Sequence, residues 1–520
     1  MRTLIRNATV VAMDDIHGAD PFEADVLVED ERIAAVGPAL APGPVDEVID
    51  GHERLVMPGL VNAHLHSWEA LLRGRYDNLP LELWMLLSYP IIGLEPLAPE
   101  IIRLRTLLVG IESLKNGVTC VQDDVIESPY QSMESLEAVF GGYGEIGIRA
   151  SCSGNMVDRV FTDTIPYANE LLPGELLERV RATPPATADE YLAFAREALA
   201  RFDDPGGRLR YVIAPSGPQR CSDELLGASA ELARAHDRPL HIHVLETKLQ
   251  AVTGHEFYGR TLVEHLDSLG VLCEQATLAH GIWLTDADIE RVAATGTTIA
   301  HNAISNQKLG AGIAPLRALL DAGVNVALGT DGLCSNDSAR MFDVMKAAAL
   351  LQKITTPDFT TWPTASEILW AATRAGARSV RLEREIGQIS PGHRADLVLL
   401  DLRTVNFTPR NDLRNHLVYC ENGASVERVL VDGRTVVRDG RCTEIDEDAV
   451  LAEIRALAPE FLARHERVEE LNRAFAPYFT AIHHRCCAQP LQINRYAGDE
   501  RGWLGDAPGA EPHAATDVLG

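Results

Sequence analysis

Short apolar runs alternate with segments of helical apolar spacing through the middle of the chain. The helical segments include residues 222–236, 285–295 and 315–322, and Gly296 and Gly323 stop the last two. Eight buried strands alternating with helices are what a parallel (β/α)8 barrel requires. The sequence therefore predicts an α/β fold with a TIM-like barrel. Its predicted strands are residues 60–66, 118–123, 148–153, 209–214, 240–244, 276–280, 297–301 and 324–331.

Both ends of the chain show a different pattern, in which apolar and polar residues alternate between turns rich in Gly, Pro and Asp. This pattern is typical of short antiparallel strands. It covers residues 3–11, 24–29, 32–36 and 45–50 near the start, and returns at 395–401 and 426–441. We therefore expect one small β-sandwich built from both ends. Its two parts are residues 1–57 and 386–445, and they flank a barrel domain at 58–385.

Residues 446–520 form a predicted C-terminal extension. Apolar residues recur at helical spacing up to residue 484, whereas the segment from about 490 to 520 is rich in Gly, Ala, Asp and Pro. The first part predicts helices, and the second predicts an extended or mobile tail. A role in packing or in a homo-oligomer, a dimer or larger, is favoured over a catalytic role.

Composition narrows the classes of partner. The 520 residues carry a formal net charge of −28 and have a pI near 5.0, which argues against nucleic-acid binding by clustered Lys and Arg. No run of 18 apolar residues occurs, and the first apolar run is too short for a signal peptide, so we expect a cytoplasmic protein with no membrane partner. Nine scattered cysteines without a C-x-x-C spacing indicate neither a disulfide framework nor a thiolate zinc site.

Polar side chains stand where several of the predicted barrel strands end. Barrel enzymes carry their active sites at the carboxyl ends of the strands, so these side chains are the candidates for chemistry. Each could alone be a structural residue, but together they predict a metal site. They are His64 and His66 on the first strand, His243 on the fifth, His280 on the sixth, His301 on the seventh and Asp331 on the eighth.

These motifs, taken in order, resemble the amidohydrolase superfamily. The resemblance is to its cytosine-deaminase-like branch, which includes the triazine hydrolases and nucleoside deaminases. It covers nearly the whole chain to about residue 445. The segments that carry it are PGLVNAHLH at 58–66, HIHVLET at 241–247, LAHG at 278–281, HNAISNQKLG at 301–310 and GTDGLCSND at 329–337.

The resemblance implies a metal centre with one divalent ion, usually zinc and sometimes iron. His64, His66, His243 and Asp331 would be its ligands, and Asp331 would also take a proton from the attacking water. His280 would orient the resulting hydroxide, although it is also a ligand in some relatives. Relatives with two metals carry a lysine or glutamate at the end of the fourth strand, and residues 211–219 contain neither.

Glu246 lies three residues past His243, just beyond the strand end. In the similar deaminases the matching glutamate passes a proton to a ring nitrogen of the substrate, which a low-dielectric pocket would favour by keeping the carboxyl partly protonated. The alternative is a helix N-terminal glutamate that interacts with the helix dipole.

The reaction implied is hydrolysis at an sp2 carbon of a nitrogen heterocycle or amidine, with attack by metal-bound hydroxide and release of ammonia or an amine. Two alternatives use the same site: hydrolytic dehalogenation, and cleavage of an amide, urea or carbamate. A catalytically inactive binding or scaffold protein is disfavoured because every ligand position is filled. The expected partner is a small-molecule substrate that contains a planar nitrogen heterocycle. The sequence leaves the identity of this substrate open.

Five residues are candidates for substrate contact. Trp68 and Trp84 in the loop after the first strand could stack on a planar ring, although core packing is the more frequent role of a tryptophan. Ser216, near Gln219 at the end of the fourth strand, replaces the histidine of adenosine-type deaminases in this branch and so argues against adenosine-like substrates. His301 is either a residue behind the site or a strand cap.

Overall fold

The computed structural model describes residues 1–202, 204 and 207–498. Its strands include all eight of the predicted barrel strands, with ends shifted by three residues or fewer. The strands are β1 (Arg2–Val10), β2 (Phe22–Glu29), β3 (Arg32–Gly37), β4 (Glu47–Asp50), β5 (Arg54–Pro58), β6 (Leu60–Leu65), β7 (Val118–Asp123), β8 (Arg149–Ser153), β9 (Leu209–Val212), β10 (Leu240–Val244), β11 (Ala276–His280), β12 (Thr298–His301), β13 (Asn325–Leu328), β14 (Leu397–Asp401), β15 (Val426–Val431), β16 (Arg434–Arg438) and β17 (Arg441–Cys442).

Helices lie in the connections between these strands, and two more helices of the described chain follow the last strand. They are α1 (Leu81–Ser88), α2 (Pro99–Lys115), α3 (Met133–Ile146), α4 (Ala168–Leu171), α5 (Gly174–Arg181), α6 (Ala188–Phe202), α7 (Asp223–His236), α8 (Lys248–Tyr258), α9 (Leu262–Ser268), α10 (Asp286–Thr295), α11 (Ala303–Lys308), α12 (Leu316–Asp321), α13 (Met341–Leu351), α14 (Ala365–Ala372), α15 (Arg374–Ser379), α16 (Leu413–Asn415), α17 (Glu447–Asn472) and α18 (Ala476–Cys487).

Helix α10 shows how local sequence sets these boundaries. The Thr285 hydroxyl accepts a hydrogen bond from the Asp288 backbone N–H, and the Asp288 carboxylate accepts one from the Thr285 N–H. This capping box satisfies two amide groups that the first turn leaves free. Gly296 ends the helix with a left-handed backbone at φ 69°.

Two four-stranded parallel sheets form the centre of the molecule, in the orders β6-β7-β8-β9 and β10-β11-β12-β13. Their residues are almost all buried, which explains the apolar runs in the sequence. A parallel bridge between Ile213 and Leu240 links β9 to β10. On the other side, the backbone N–H of Asp331, just past β13, donates to the carbonyl of His64 in β6 at 2.9 Å. The two sheets therefore meet along both sides.

Strands from both chain ends share one nine-stranded sheet, in the order β17-β16-β15-β14-β5-β1-β2-β3 with β4 paired to β1. The junction is the antiparallel pairing of β14 with β5, from Leu397 opposite Pro58 to Asp401 opposite Arg54. Strands of both chain ends thus belong to one continuous hydrogen-bonded sheet, and the small β-sandwich with its domain bounds stays a prediction. Because β6 follows β5 after Gly59 alone, this sheet anchors the start of the first barrel strand.

Part of the predicted tail packs against the body of the protein. Leu491, Ile493 and Tyr496 contact the main apolar core, and the carbonyl of Arg495 accepts a hydrogen bond from Ile313 N–H at 2.7 Å. Residues 490–498 thus form neither a helix nor a strand and pack on the core through these apolar side chains. Residues 499–520 lie outside the described part of the chain. None of the helices described combines the length and apolar character needed to cross a membrane.

Candidate metal centre and active site

Side chains from four strand ends converge on one point. His64 and His66 are two residues apart, so β6 directs both to the same side. The Nε2 atoms of both lie 3.4 Å from Asp331 Oδ1, and His66 Nε2 lies 3.2 Å from His243 Nε2. The ligand atoms of His64, His66 and His243 lie within 4.8 Å of one another, as do those of His64, His280 and Asp331. All five side chains are buried.

The protonation of these rings fits a bound cation. His66 Nδ1 contacts the carbonyl of Asp124 at 2.8 Å, and His243 Nδ1 contacts the carbonyl of Ser216 at 3.1 Å. Because a carbonyl only accepts, each Nδ1 carries a hydrogen, and the Nε2 atoms of the two rings face each other across the cluster. His64 Nε2 is buried without a hydrogen-bond partner in the described chain. Three nitrogen donors and a carboxylate oxygen are a donor set that suits zinc.

The electrostatics of the cluster also favour positive charge. Burial raises the pKa of Asp331, but its hydrogen bond to His64 and the charges of His64, His280 and His66 lower it to well below its ordinary value. Burial lowers the pKa of His66, yet the carboxylates of Asp331, Asp124 and Glu69 outweigh burial and raise it to about 9. The cluster therefore holds an ionised carboxylate and attracts a cation.

Glu246 lies beside the cluster and lines the same cavity. Its Oε1 is 3.8 Å from His280 Nε2. Burial raises the pKa of Glu246 to about 7, with His280 and Arg220 opposing the rise and Asp331 adding to it. The N-terminus of α8 is capped by Thr247, whose side chain accepts from the N–H of Gln250. Glu246 is therefore not the capping residue of this helix. Because its pKa is about 7, its carboxyl can gain or lose a proton near neutral pH.

His280 is held by the loop after β12. Its Nδ1 lies 3.1 Å from Asn306 Oδ1 and 3.3 Å from Asn302 Nδ2, and its backbone adopts a positive φ of 73°. Such a conformation is uncommon outside glycine and is a form of strain that concentrates at functional sites. The contacts leave His280 Nε2 directed at Glu246 and the ligand cluster.

Glu69 and Asp124 belong to the site, although sequence reasoning missed both. Glu69 Oε2 accepts from the backbone N–H groups of Cys334 and Ser335, both at 2.9 Å, and Glu69 groups with His66 and Asp331 as a potential ligand set. Asp124 lies one residue past β7, so the strand-end rule applied to the second strand would have found it. Glu69 lies in a loop segment that is otherwise apolar, and an acidic residue among apolar neighbours was the sequence feature that could have identified it.

A cavity of about 770 Å³ opens above the cluster. Among the predicted substrate contacts, Trp84 and Ser216 line it, and the Trp84 indole N–H has no partner in the described chain. Its other walls come from residues 81–94, 126–130, 155–164 and 179–186. These loops therefore surround a space of ligand size above the ligand cluster, and side chains of the cluster line that space.

Three predicted substrate contacts lie outside this cavity lining. The Trp68 indole donates to the carbonyl of Ser88 at 3.1 Å and packs beneath the loop. Gln219 lines a separate, smaller space of about 30 Å³. His301 is fully buried at the end of β12, and neither of its ring nitrogens has a partner in the described chain. These three side chains point away from the cavity because the strand or loop that carries each one directs it into the packed interior.

Comparison with known proteins identifies relatives along most of the chain. The profile of the amidohydrolase family matches residues 55–436. A 5'-deoxyadenosine deaminase of Methanothermobacter thermautotrophicus is 37% identical over 442 residues, which cover 84% of this chain and 94% of that protein. A 5-methylthioadenosine/S-adenosylhomocysteine deaminase of Desulforudis audaxviator is 35% identical over 462 residues, covering 88% and 98%.

Crystal structures with the same fold carry zinc. An adenosine deaminase from Xanthomonas campestris with bound zinc superposes with a TM-score of 0.76 at 29% identity, over 90% of this chain and 98% of that one. An atrazine chlorohydrolase from Arthrobacter aurescens complexed with zinc gives a TM-score of 0.78 at 27% identity, over 88% and 100%. The predicted resemblance is confirmed, and the chain belongs to the amidohydrolase family.

Proposed function

We propose that the protein is a metal-dependent aminohydrolase that releases ammonia or an amine from an sp2 carbon of a nitrogen heterocycle. One observation carries the proposal. The carboxyl of Glu246, whose pKa burial raises to about 7, faces the same cavity as the ligand cluster of His64, His66, His243 and Asp331. A proton donor and a cation site on one cavity wall are the two components that this reaction needs.

One divalent ion, in the first instance zinc, would be held by His64, His66, His243 and Asp331. The facing Nε2 atoms of His66 and His243, and the Nε2 of His64 that has no hydrogen-bond partner in the described chain, support this assignment. Zinc in the two similar crystal structures supports the choice of metal. When bound, such an ion supplies Lewis acidity that lowers the pKa of water from about 15.7 to about 7.

The side chains around the cluster have separable roles in proton transfer. As the C–O bond forms, Asp331 takes a proton from the attacking water and Glu246 gives its proton to the ring nitrogen that receives the C=N electron pair. As the C–N bond breaks, the departing amine takes the proton from Asp331, and the new hydroxyl returns a proton to Glu246 while becoming a carbonyl. His280, fixed by Asn306, orients the attacking oxygen.

The nature of the heterocycle is the open part of the proposal. The named relatives deaminate adenosine derivatives, which favours an aminopurine. Ser216 stands where the adenosine-type deaminases of this branch carry a histidine, which favours a different ring. Ammonia release by zinc-loaded protein should therefore be measured across 5'-deoxyadenosine, aminopurines, aminopyrimidines, pterins and aminotriazines. Ammonia from none of these classes would contradict the proposal.

Replacement of Glu246 tests the mechanism on whichever substrate releases ammonia. Glu246→Gln keeps the size of the side chain and removes the transferable proton, so we expect kcat to fall by about 10² to 10⁴-fold. Zinc content should stay near one per chain, because Glu246 is outside the proposed ligand set. Turnover within a few fold of the unmodified protein would remove Glu246 from the mechanism.

A second candidate reaction is hydrolytic dehalogenation on the same site. The observation that favours it is the likeness to the atrazine chlorohydrolase at a TM-score of 0.78. Chloride release and ammonia release from a chlorinated aminotriazine separate the two reactions, because only one leaving group is lost in each. Chloride without ammonia would establish the second candidate.

We also propose that the two parallel sheets form one closed eight-stranded barrel. The bridge between β9 and β10 and the hydrogen bond from Asp331 to His64 support closure on both sides. Closure brings the ends of β6, β10 and β13 to one face, which is the face that carries the active site in barrel enzymes.

A further inference from the structure

Arg220 is a cation in the cavity wall for which the described part of the chain provides no ion-paired carboxylate. It lies in the loop after β9, is partly buried, and lines the cavity together with Glu246. Its Nη1 lies 3.3 Å from the Ser216 hydroxyl, and its Nη2 lies 3.2 Å from the Met85 sulfur. A guanidinium has five N–H donors, and a thioether is a weak acceptor. In the described part of the chain, no carboxylate forms an ion pair with Arg220.

Two fully buried arginines of this protein have carboxylate partners. Arg105 pairs with Glu127, and Arg149 pairs with Asp396 and Asp432. Burial of an unpaired charge is costly, which is why such pairs are the rule. Burial accordingly lowers the pKa of Arg220, although Glu246 and other acidic groups oppose the decrease. The partly buried guanidinium of Arg220, which is an energetically unfavourable group without a counter-charge, thus lies where a ligand would bind.

Arg220 is also held in a fixed relation to the reaction centre. The Ser216 hydroxyl accepts from Arg220, while the carbonyl of the same serine orients His243. Glu246 lies close enough for Arg220 to lower its pKa. Because Arg220 and Glu246 line the same cavity, a ring whose nitrogen faces Glu246 can present a neighbouring ring substituent to Arg220.

We propose that Arg220 binds an oxygen of the substrate, so that the substrate is an aminoheterocycle with an oxo or carboxylate group beside the ring nitrogen that Glu246 protonates. The inference rests on the proposed function for the orientation of the ring. A planar guanidinium donates two parallel hydrogen bonds to a carboxylate and one or two to a ring oxygen. An unsubstituted ring carbon at that place would leave the buried cation unpaired.

Binding of three probes that differ at one ring position tests the inference. The probes are 4-aminopyrimidine, its 2-oxo derivative cytosine and its 2-carboxylate. Calorimetry on zinc-loaded Glu246→Gln protein measures affinity without turnover. We expect the oxo or the carboxylate probe to bind at least tenfold more tightly than 4-aminopyrimidine, and the better of the two identifies the source of the oxygen. Equal affinity for all three, or binding of none, would overturn the proposal.

Substitution of Arg220 in the same background assigns the preference to this residue. Glu246→Gln/Arg220→Met should reduce the preference to twofold or less, whereas Glu246→Gln/Arg196→Met should retain it. Arg196 is an exposed residue of α6, so this control removes the same charge away from the cavity. A preference that survives Arg220→Met would contradict the assignment.

A conservative variant keeps the test decisive if Arg220→Met does not fold. Arg220→Lys keeps the charge but loses the planar pair of donors, so the preference should fall by about threefold or more. An unchanged preference in this variant would also overturn the inference. The two failures are distinguishable. Absence of ammonia release by the unmodified zinc-loaded protein would count against the proposed function, whereas ammonia release together with equal affinity for the three probes would count against this inference alone.

Discussion

Glu246 controls the predicted pH dependence of the reaction. Burial raises the pKa of this carboxyl to about 7, so the proton needed for transfer to the ring is present below that pH and lost above it. We therefore expect kcat/KM to fall about tenfold per pH unit above pH 7 as the acid form disappears. Stopped ammonia assays between pH 6 and 9 would measure the profile. A flat profile across this interval would contradict the assigned proton donor.

His241 controls the orientation of a proposed ligand. Its Nε2 lies 2.7 Å from His64 Nδ1, and its own Nδ1 contacts Gln122. Loss of such a contact behind a metal ligand weakens metal binding by about 10 to 100-fold. We expect that decrease for His241→Phe, measured by competition with a zinc chelator, and no change for the exposed His255→Asn control. Unchanged zinc affinity would show that His64 is oriented without His241.

The positions of the proposed ligands could be predicted from the sequence for a physical reason. His64, His66, His243 and Asp331 lie in or just past the ends of apolar strands, so their place along the chain reports their place in space. Arg220 and Glu69 were not predictable in this way, because they lie on loops. Whether a loop residue faces the cavity depends on packing contacts that distant segments supply. Trp68 illustrates the same limit, since its loop turns it into the interior.

Helix α17 holds part of the cavity wall in place. The buried Asn472 accepts from the backbone N–H groups of Ile91 and Ile92, at 2.9 and 3.2 Å, and donates to the carbonyl of Ile92 at 2.9 Å. Arg75, at the other end of this loop, pairs with Glu469 at 2.7 Å. Ile91 and Ile92 line the cavity. The C-terminal extension thus contacts the candidate site through one loop.

Asn472→Ala should loosen this wall without altering the proton-transfer groups. We expect KM to rise by about tenfold with kcat changed by less than threefold, because backbone groups of the wall lose their partner. Steady-state ammonia assays on the substrate identified by screening would measure both constants. Glu460→Ala, on the exposed face of the same helix, is the matched control. A fall in kcat with constant KM would place the helix effect on the chemical step instead.

The elements of the centre were predictable, whereas the contacts of the extension were not. Apolar runs of strand length gave all eight central strands, since buried parallel strands need apolar residues on both faces. The helical spacing after residue 446 gave helices but could not say which surface they cover. That surface is the loop of residues 75–92, and its contacts come from buried polar residues such as Asn472 and Glu469.

At the scale of the whole molecule, the terminal sheet, the two parallel sheets and the C-terminal helices act together on one cavity. The sheet built from both chain ends fixes the start of β6, and β6 carries two of the proposed ligands. The extension fixes the loop above them. The sequence could not identify the substrate, because most of the cavity wall comes from the long connections after β6, β7 and β8, whose packing over the strand ends a sequence pattern does not give.

Titration of the metal-free protein with zinc tests the central claim most directly. Ammonia release from the substrate found by screening would be followed as zinc is added, with Glu246→Gln protein titrated in parallel. We predict activity that rises linearly to one equivalent of zinc per chain and then stays constant, with Glu246→Gln binding the same equivalent but remaining inactive. Full turnover without metal, or activity that continues to rise to two equivalents, would contradict the account.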